Sequence, residues 1–480
     1  MTTTTGRRAW LALAALALPA LLASLELTVT HLALPAIGAD LDASGTELLW
    51  IVDVYAFLLG GSLIAMGVWG DRIGRRRMLL AGSAAYGIAS VLAAYAPTAP
   101  TLIGARALMG LAASTLMPST LALAAAIFPD PRRRATAIGV IVASVSAGTA
   151  FGPLAGGWLL DNAWWGSAFL VAVPVMALLL VVGPLLLPDL PPSTTGRPDV
   201  LSALLSLAAV LPVVYGLKRL SAEGPDLTVA AAIAVGCAAA AAFVRRQRRP
   251  DPFVDLGLFR EPAFRAAIAT LALGIGVLWA SNFAVAQYLQ LVRGLSPLEA
   301  GLWTAPPAVG VVVGSLAAPR LARRVRPAYV IAAGFAVSAT GYALLATAGS
   351  LATVVTAAIV VSAGLGPMMA LSTDLAIGSA PAERAGAAAA LASAAPQLGG
   401  ALGVAVLGSV ITAVYRSGVP GSEALTAGAG PAARDAFLTG VHVAAATSAI
   451  MIAVAAAALV RGARANRLPT LDRQPTGPVA

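Results

Sequence analysis

Apolar residues run along this chain in long blocks, broken by short polar stretches rich in arginine, glycine and proline. A helix of about 20 apolar residues is what crosses the roughly 30 Å hydrocarbon core of a bilayer. Fourteen such blocks can be counted, at about 9–38, 47–70, 78–95, 99–127, 135–160, 167–187, 200–220, 227–246, 264–292, 298–322, 328–347, 351–378, 384–414 and 437–461. The pattern predicts an all-α membrane protein, and the even number returns the chain to the side on which it began. The longest connector on that side, about 247–263, separates blocks 1–8 from blocks 9–14. The longest on the other, about 415–436, is rich in Gly, Ala and Pro and reads as a mobile loop. MTTTTGRR at the start and 463–480 at the end read as polar, disordered tails, the latter cytoplasmic.

Composition sharpens this picture. Of 480 residues 59% are hydrophobic and 11% charged, against roughly a quarter charged in soluble domains, which excludes a soluble enzyme. Cys237 is the single cysteine, so neither a disulfide framework nor a cysteine metal cluster is available. The first block is too long for a signal peptide and is interrupted by Glu26. The net charge of +10 would suit nucleic acid, but its placement suits topology better. If the N-terminus is cytoplasmic, 25 of the 31 Lys and Arg residues fall on the cytoplasmic side. Five (Lys218, Arg219, Arg293, Arg416 and Arg434) fall outside, and Arg106 lies within a block. The positive-inside rule then places both termini in the cytoplasm.

Two pairs of segments echo each other. "GVWGDRIGRRR" (Gly67–Arg77) follows block 2 and "GSLAAPRLARRVR" (Gly314–Arg326) follows block 10. "GTAFGPLAGG" (Gly148–Gly157) lies in block 5 and "PQLGGALGVAVLG" (Pro396–Gly408) in block 13. Both pairs are offset by eight blocks, an order that chance similarity among Gly/Ala-rich helices does not explain. The implied organisation is an N-terminal six-helix half at 1–190, two inserted helices at 191–250 and a C-terminal six-helix half at 251–462. Paired halves with a site between them near the midplane are characteristic of transporters.

A charge inside a membrane span costs at least a few kcal/mol, so it is paired or functional. "LELTVTHLALP" (Leu25–Pro35) carries Glu26 and His31, "LWIVDVY" carries Asp53, and "RALMG" carries Arg106. Glu26 sits about 17 residues into its block, near the midplane. Arg106 lies about eight residues, or roughly 12 Å, below the opposite surface, with Asp53 at similar depth in the same half. An Asp53–Arg106 pair, direct or through water, is expected, either structural or proton-carrying. Thr30, one turn beyond Glu26, shares its face. His31 points about 140° away and is expected to pack against another helix. Trp50, Tyr55, Trp279, Phe283 and Tyr288 offer π-faces to a cation, although each singly also suits packing or lipid contact. Asp374, in "LSTDLAIG", is either a secondary acidic contact or a helix-end residue near Arg384, and His442 reads as interfacial.

"GVWGDRIGRRR" resembles the loop-2/3 signature of the major facilitator superfamily, with Trp69-Gly70 where Leu-Ala is usual. There the acidic residue and first arginine latch the outward-facing state, which implies a latch on Gly67, Asp71, Arg72, Gly74, Arg75 and Arg76. "GTAFGPLAGGW" resembles the superfamily's antiporter motif, falling on Gly148, Gly152, Pro153, Gly156 and Gly157, and implies export. Physically, the glycines make a close-packing helix face and Pro153 bends it. Arg106 matches the span-4 arginine that the family implicates in proton transfer. The fourteen blocks, "LELTVTHLALP", "LWIVDVY" and "NAWWGSAFLVAVP" are together similar to the fourteen-helix drug:proton antiporters, in particular the quaternary-ammonium-compound exporters. That resemblance covers residues 9–461. Glu26 stands where the branch usually has Asp, and His31 where Asn is common.

The resemblance implies the major facilitator fold, two six-helix halves plus two inserted helices. It implies a proton-coupled multidrug efflux antiporter that exports lipophilic cations across the cell membrane by alternating access. A dedicated exporter of one antibiotic or metabolite on the same fold is the alternative. In a partly hydrated apolar cavity, desolvation would let Glu26 alternate between protonated and charged forms. Charged, it would attract a cation, and protonated, release it; Asp53 and Arg106 would bring the proton from outside. The expected partners are drug or metabolite substrates, protons and membrane lipid, with no nucleic acid, and a monomer is expected. No cofactor beyond the proton gradient and no metal is expected. No P-loop is present, and the two histidines, His31 and His442, form no catalytic cluster.

Overall fold

The computed structural model describes residues 6–189, 199–249, 254–380, 384–419 and 430–464. In hydrocarbon every backbone N–H and C=O must be satisfied within the segment, which selects helices for these apolar blocks. The helices are α1 (Gly6–Leu41), α2 (Gly45–Ile73), α3 (Arg75–Ala94), α4 (Ala99–Ile127) and α5 (Pro131–Asn162). Next come α6 (Ser167–Leu170 and, past one turn residue, Ala172–Leu186), α7 (Val200–Glu223) and α8 (Leu227–Arg246). The remainder are α9 (Pro262–Gln287), α10 (Pro297–Ala322), α11 (Pro327–Leu345), α12 (Leu351–Gly378), α13 (Ala385–Gly418) and α14 (Pro431–Arg464). Among the described residues, thirteen of these are long and apolar enough to cross a membrane. The fourteenth, α5, is 32 residues long.

Polar residues at the breaks fix the helix starts. Ser44 with Glu47 and Ser296 with Glu299 form reciprocal capping boxes on α2 and α10, while Asp130, Asp199 and Asp226 cap α5, α7 and α8. Between α2 and α3 the break is one residue, Gly74, at φ 103°, where a Cβ would be strained. The predicted tails are shorter than expected: Gly6, Arg7 and Arg8 already belong to α1, and Ala463 and Arg464 to α14. Residues 1–5 and 465–480, and 420–429 of the predicted outer loop, lie outside the described residues. The connector expected at 247–263 contains a short 3-10 helix, Leu256–Arg260. It is tied back to α8 by Val254 N–H, which donates to Gln247 Oε1 at 2.9 Å.

Helix packing in the first six spans recurs in the last six. α1 packs on α5, α2 on α4, and α3 on both α4 and α6; α9 packs on α13, α10 on α12, and α11 on both α12 and α14. The buried apolar side chains fall mainly into two cores, one centred in α1–α6 and one in α9–α14. The two sets meet along two seams, α2 on α13 and α5 on α10. α7 packs on α8, α13 and α2, whereas α8 packs on α7.

Polar contacts join helix ends on each face of the bundle. At one end, rich in arginine, Arg76 Nη1 donates to Leu187 O at 3.2 Å and Arg326 Nη1 to Ala463 O at 3.1 Å. At the far end Trp165 Nε1 donates to Asp40 Oδ2 at 2.6 Å and Ser296 Oγ to Asp161 Oδ2 at 3.0 Å. There too His442 Nε2 lies 3.0 Å from Ala348 O, as an end-of-span residue.

Candidate transport site

Among the described residues four charged side chains are buried within the helices: Glu26 on α1, Asp53 on α2, Arg106 on α4 and Lys218 on α7. They form two ion pairs. Arg106 Nη1 is hydrogen-bonded to Glu26 Oε1. The same guanidinium donates through Nε to Ile51 O at 3.0 Å and lies 4.4 Å above the centre of the Tyr55 ring. One planar cation is thus held by a carboxylate, a backbone carbonyl and a π-face, which suits arginine's fixed fork of donors. Asp53 pairs instead with Lys218, Nζ to Oδ2 at 2.9 Å, both side chains fully buried. The Lys218 ammonium lies 4.5 Å from the centre of the Trp50 ring.

Glycines bring the helices close enough for these contacts. On α4, Gly110 sits one turn beyond Arg106, where a Cβ would lie 2.5 Å from Tyr55 O. The α2–α4 approach that this permits lets Arg106 reach the α2 backbone. On α5, a Cβ at Gly148 would collide with Leu21 O, one at Gly152 with Thr28 Oγ1, and one at Gly156 would lie 2.6 Å from Val29 Cγ2. Gly157 faces Pro297 and Leu298 at the start of α10, and Gly301 of α10 faces Pro153. The glycine motif therefore presses α5 against the stretch of α1 that carries Glu26 and, through its last turn, against α10.

Several sequence expectations change. The Asp53–Arg106 pair does not form: Ile51 and Tyr55 share the α2 face that meets Arg106, and Asp53 lies on the opposite one, toward α7. Glu26 does not line an open cavity; it is 3% exposed. Lys218, assigned from sequence to an outer segment, is inside α7 and buried. Thr30 spends its hydroxyl on its own helix, donating to Glu26 O at 2.8 Å. His31 packs edge-on against Phe283 of α9, ring centres 6.0 Å apart, as the helical geometry required.

The proposed aromatic lining is dispersed. Trp50 and Tyr55 lie against the protein's own cations. The Trp279 ring covers Gly400 of α13, and Tyr288 is buried at the start of a π-helical turn, Tyr288–Val292. Phe283 does border a cavity of about 320 Å³ at the far end of the bundle, with Gly38, Leu49, Gln287, Thr412 and Tyr415 among its other walls. That cavity lies between α1–α2 and α9, α13 and α14.

On the arginine-rich face, Gly74 joins α2 directly to α3 and Gly67 faces Pro118 of α4. Arg75 lies along Gly70, and Arg76 reaches Asp189 at 3.7 Å beyond α6. Arg72 is half-buried in the last turn of α2, and the side chain of Asp71 lies outside the described residues. Asp374 is exposed, and Arg384, its expected neighbour, pairs with Asp255 at 3.2 Å. Lys218 was the residue that sequence reasoning missed. Its signal was present: the chain's single lysine lies inside an apolar block, where a charge demands a partner.

Comparison with known proteins agrees with this architecture. The family model of the Major Facilitator Superfamily matches residues 16–404. The chain is 42% identical over 468 residues to the multidrug efflux pump LfrA of Mycolicibacterium smegmatis, covering 97% of this chain and 92% of that protein. It is 34% identical to the methyl viologen resistance protein SmvA of Salmonella typhimurium, covering 86% and 84%. With the tetracenomycin C resistance and export protein of Streptomyces glaucescens it shares 32% identity, covering 84% and 76%. Among solved structures, a bacterial homolog of the human lysosomal transporter Spinster superposes with a TM-score of 0.69 at 17% identity, covering 98% of this chain and all of that one. The chain belongs to the major facilitator superfamily, and is a multi-pass membrane transporter rather than an enzyme.

Proposed function

We propose that this protein exports lipophilic cations across the cytoplasmic membrane in exchange for protons. The observation that carries the reading is the buried Glu26–Arg106 pair, set where the antiporter-like glycines press α5 against α1. Of the relatives, one is named a multidrug efflux pump and another for resistance to methyl viologen, a dication, which supports a cationic substrate. The arginine bias supports cytoplasmic termini, and on that reading the cavity of about 320 Å³ faces outward.

Residues 1–190 and 251–462 act as two halves that rock about the α2–α13 and α5–α10 seams, with 191–250 supplying the inserted pair. A proton on Glu26 cancels the charge that holds Arg106, and a cationic drug reaching Glu26 competes with Arg106 for the carboxylate. Proton and drug then exclude one another at one group, which is the least that antiport requires. The arginines at the α2–α3 junction latch one state of the cycle. Among the described residues both buried carboxylates, Glu26 and Asp53, and the buried Arg106 lie in α1, α2 and α4, which supports coupling in the first half.

The test is transport in proteoliposomes with an imposed pH gradient, following tetraphenylphosphonium, methyl viologen, a neutral drug and an anion. Cation efflux with counterflow of protons is expected, and Glu26→Gln should abolish both while the protein still inserts. Normal drug-driven proton release from Glu26→Gln would sink the reading. A dedicated exporter of one antibiotic is the second reading, favoured by the relative named for tetracenomycin C resistance and export. It predicts efflux of one compound in the panel rather than several cations.

A further inference from the structure

α7 lies between the two halves and packs on both, on α2 of the first and α13 of the second. It therefore overlies the α2–α13 seam, one of the two lines along which the halves meet. Its attachments differ in kind. Toward α2 it is pinned by a buried ion pair, Lys218 Nζ to Asp53 Oδ2 at 2.9 Å, with the ammonium also 4.5 Å from the centre of the Trp50 ring. Just over two turns along α2 from Asp53, a Cβ on Gly61 would lie 2.5 Å from Leu207 Cδ2 of α7. The neighbouring Gly60 instead receives Gln397 and Leu398 of α13, at 3.0 and 3.1 Å from its Cβ position. Adjacent glycines of α2 thus seat the inserted helix and the opposite half side by side. α13 (Ala385–Gly418) contains no Asp or Glu, so it offers the cations of α7 no carboxylate.

We propose that Lys218 is a positioning residue for transport, fixing α7 to α2 so that the inserted hairpin travels with the first half while α13 slides beneath it. Apolar contacts can slide with little loss, whereas separating two buried charges exposes each to hydrocarbon. The pinned helix keeps the seam covered as it opens, and α8, packed on α7, moves with it. This inference rests on the alternating-access reading above.

The experiment uses the full chain with Cys237→Ser, so that the exposed native thiol does not take label. Spin labels go on exposed positions: Leu204 of α7 paired with Ile88 of α3, and Leu204 paired with Ile450 of α14. Pulsed electron paramagnetic resonance then compares pH 5.5 with pH 8, with and without tetraphenylphosphonium. The Leu204–Ile88 distance should stay fixed while Leu204–Ile450 shifts. A Leu204–Ile88 shift, or no shift in either, overturns the proposal. The pair is then neutralised as Asp53→Asn with Lys218→Met, which leaves no buried charge unpaired. Yield and melting temperature should stay near wild type, the Leu204–Ile88 distribution should broaden, and efflux should fall about tenfold. Lys218→Arg should restore both. Wild-type distances and efflux in the neutral variant overturn the proposal. If the neutral variant does not fold, the wild-type distances decide alone. Failure of the wild type to export tetraphenylphosphonium would count against the export reading, and the distances would still judge the pin.

Discussion

Arg106→Met removes the cation from the buried pair and leaves Glu26 facing helix. Breaking one side of a buried ion pair costs about 3–5 kcal/mol. The remaining carboxylate can limit that cost by taking up a proton. With a reference value of about 4.3 in water, protonation at pH 7 costs roughly 2.7 units at 1.36 kcal/mol each, or about 3.7 kcal/mol. The two routes agree on the size of the charge penalty. Loss of the Arg106–Ile51 hydrogen bond and of the contact over Tyr55 adds about 1–3 kcal/mol. At pH 5 the protonation cost falls to about 1 kcal/mol, so the penalty should shrink by about 2.7 kcal/mol between pH 7 and pH 5. The sign follows from proton counting. The folded variant holds a proton on Glu26 that the unfolded chain releases above about pH 4.3, so its stability falls as pH rises. Reversible unfolding in mixed micelles, followed by tryptophan fluorescence at both pH values, measures it. Adding Glu26→Gln to the variant should remove the pH-dependent part. A penalty equal at pH 5 and pH 7, or below about 1 kcal/mol, would refute the electrostatic account.

Gly148→Ala should destabilise by about 1–3 kcal/mol, since its Cβ meets the Leu21 carbonyl and the α1 backbone must shift; the same unfolding titration reads it, and a neutral result would mean that α1 and α5 are not tightly apposed. Trp165→Phe keeps the apolar body but loses the 2.6 Å hydrogen bond to Asp40 Oδ2, and should cost about 1–3 kcal/mol at pH 7 by leaving that carboxylate short of a donor. Asp199, which caps α7 outside the membrane span, is held down to about 2 chiefly by hydrogen bonds from the Arg246 side chain. A depressed carboxylate stabilises above its unfolded value and loses that contribution as pH falls from about 4 toward 2. Hydrogen exchange in the first turn of α7 should therefore quicken over that window, and Asp199→Asn should flatten the dependence.

What the sequence made legible follows from how strong each physical demand is. Hydrocarbon leaves a segment little alternative to a helix, so all fourteen apolar blocks became helices, with boundaries set by visible capping residues such as Ser44 and Glu47. Glycine spacing in Gly148–Gly157 was readable as a packing face because close approach has one cheap solution. The partner helix was not, because nothing in the spacing says whether α1 or another element fills the groove. The pairing of charges failed for the same reason. Depth along a span can be counted from its ends, and it put Arg106 and Asp53 level. Azimuth decides partners, and it turns Ile51 and Tyr55 toward Arg106 while Asp53 faces α7. Glu26 meets Arg106 although it lies far from either end of α1, a helix of 36 residues with Pro19 and Pro35 inside it. Counting residues along a straight cylinder does not capture such a helix.

The corrected pairing also alters what each charge can do. Were Asp53 and Arg106 partners, Glu26 would stand alone in the membrane, a carboxylate without a counter-ion. With Arg106 on Glu26 and Lys218 on Asp53, no carboxylate among the buried four lacks a cation, and each pair crosses between helices, α1 to α4 and α2 to α7. A buried pair is poor evidence of stability, because its desolvation offsets most of its attraction. It is better placed as a register device or a switch, since either charge becomes costly once its partner is neutralised or displaced. The two pairs lie on opposite faces of α2. One holds the core of the first half together where a proton or a cationic substrate could compete; the other fixes the inserted helix from outside that core. Neutralising Glu26 should therefore change coupling and leave the α7 position intact, whereas neutralising Asp53 and Lys218 should do the reverse, and a cross-effect of equal size would merge the two pairs into one network.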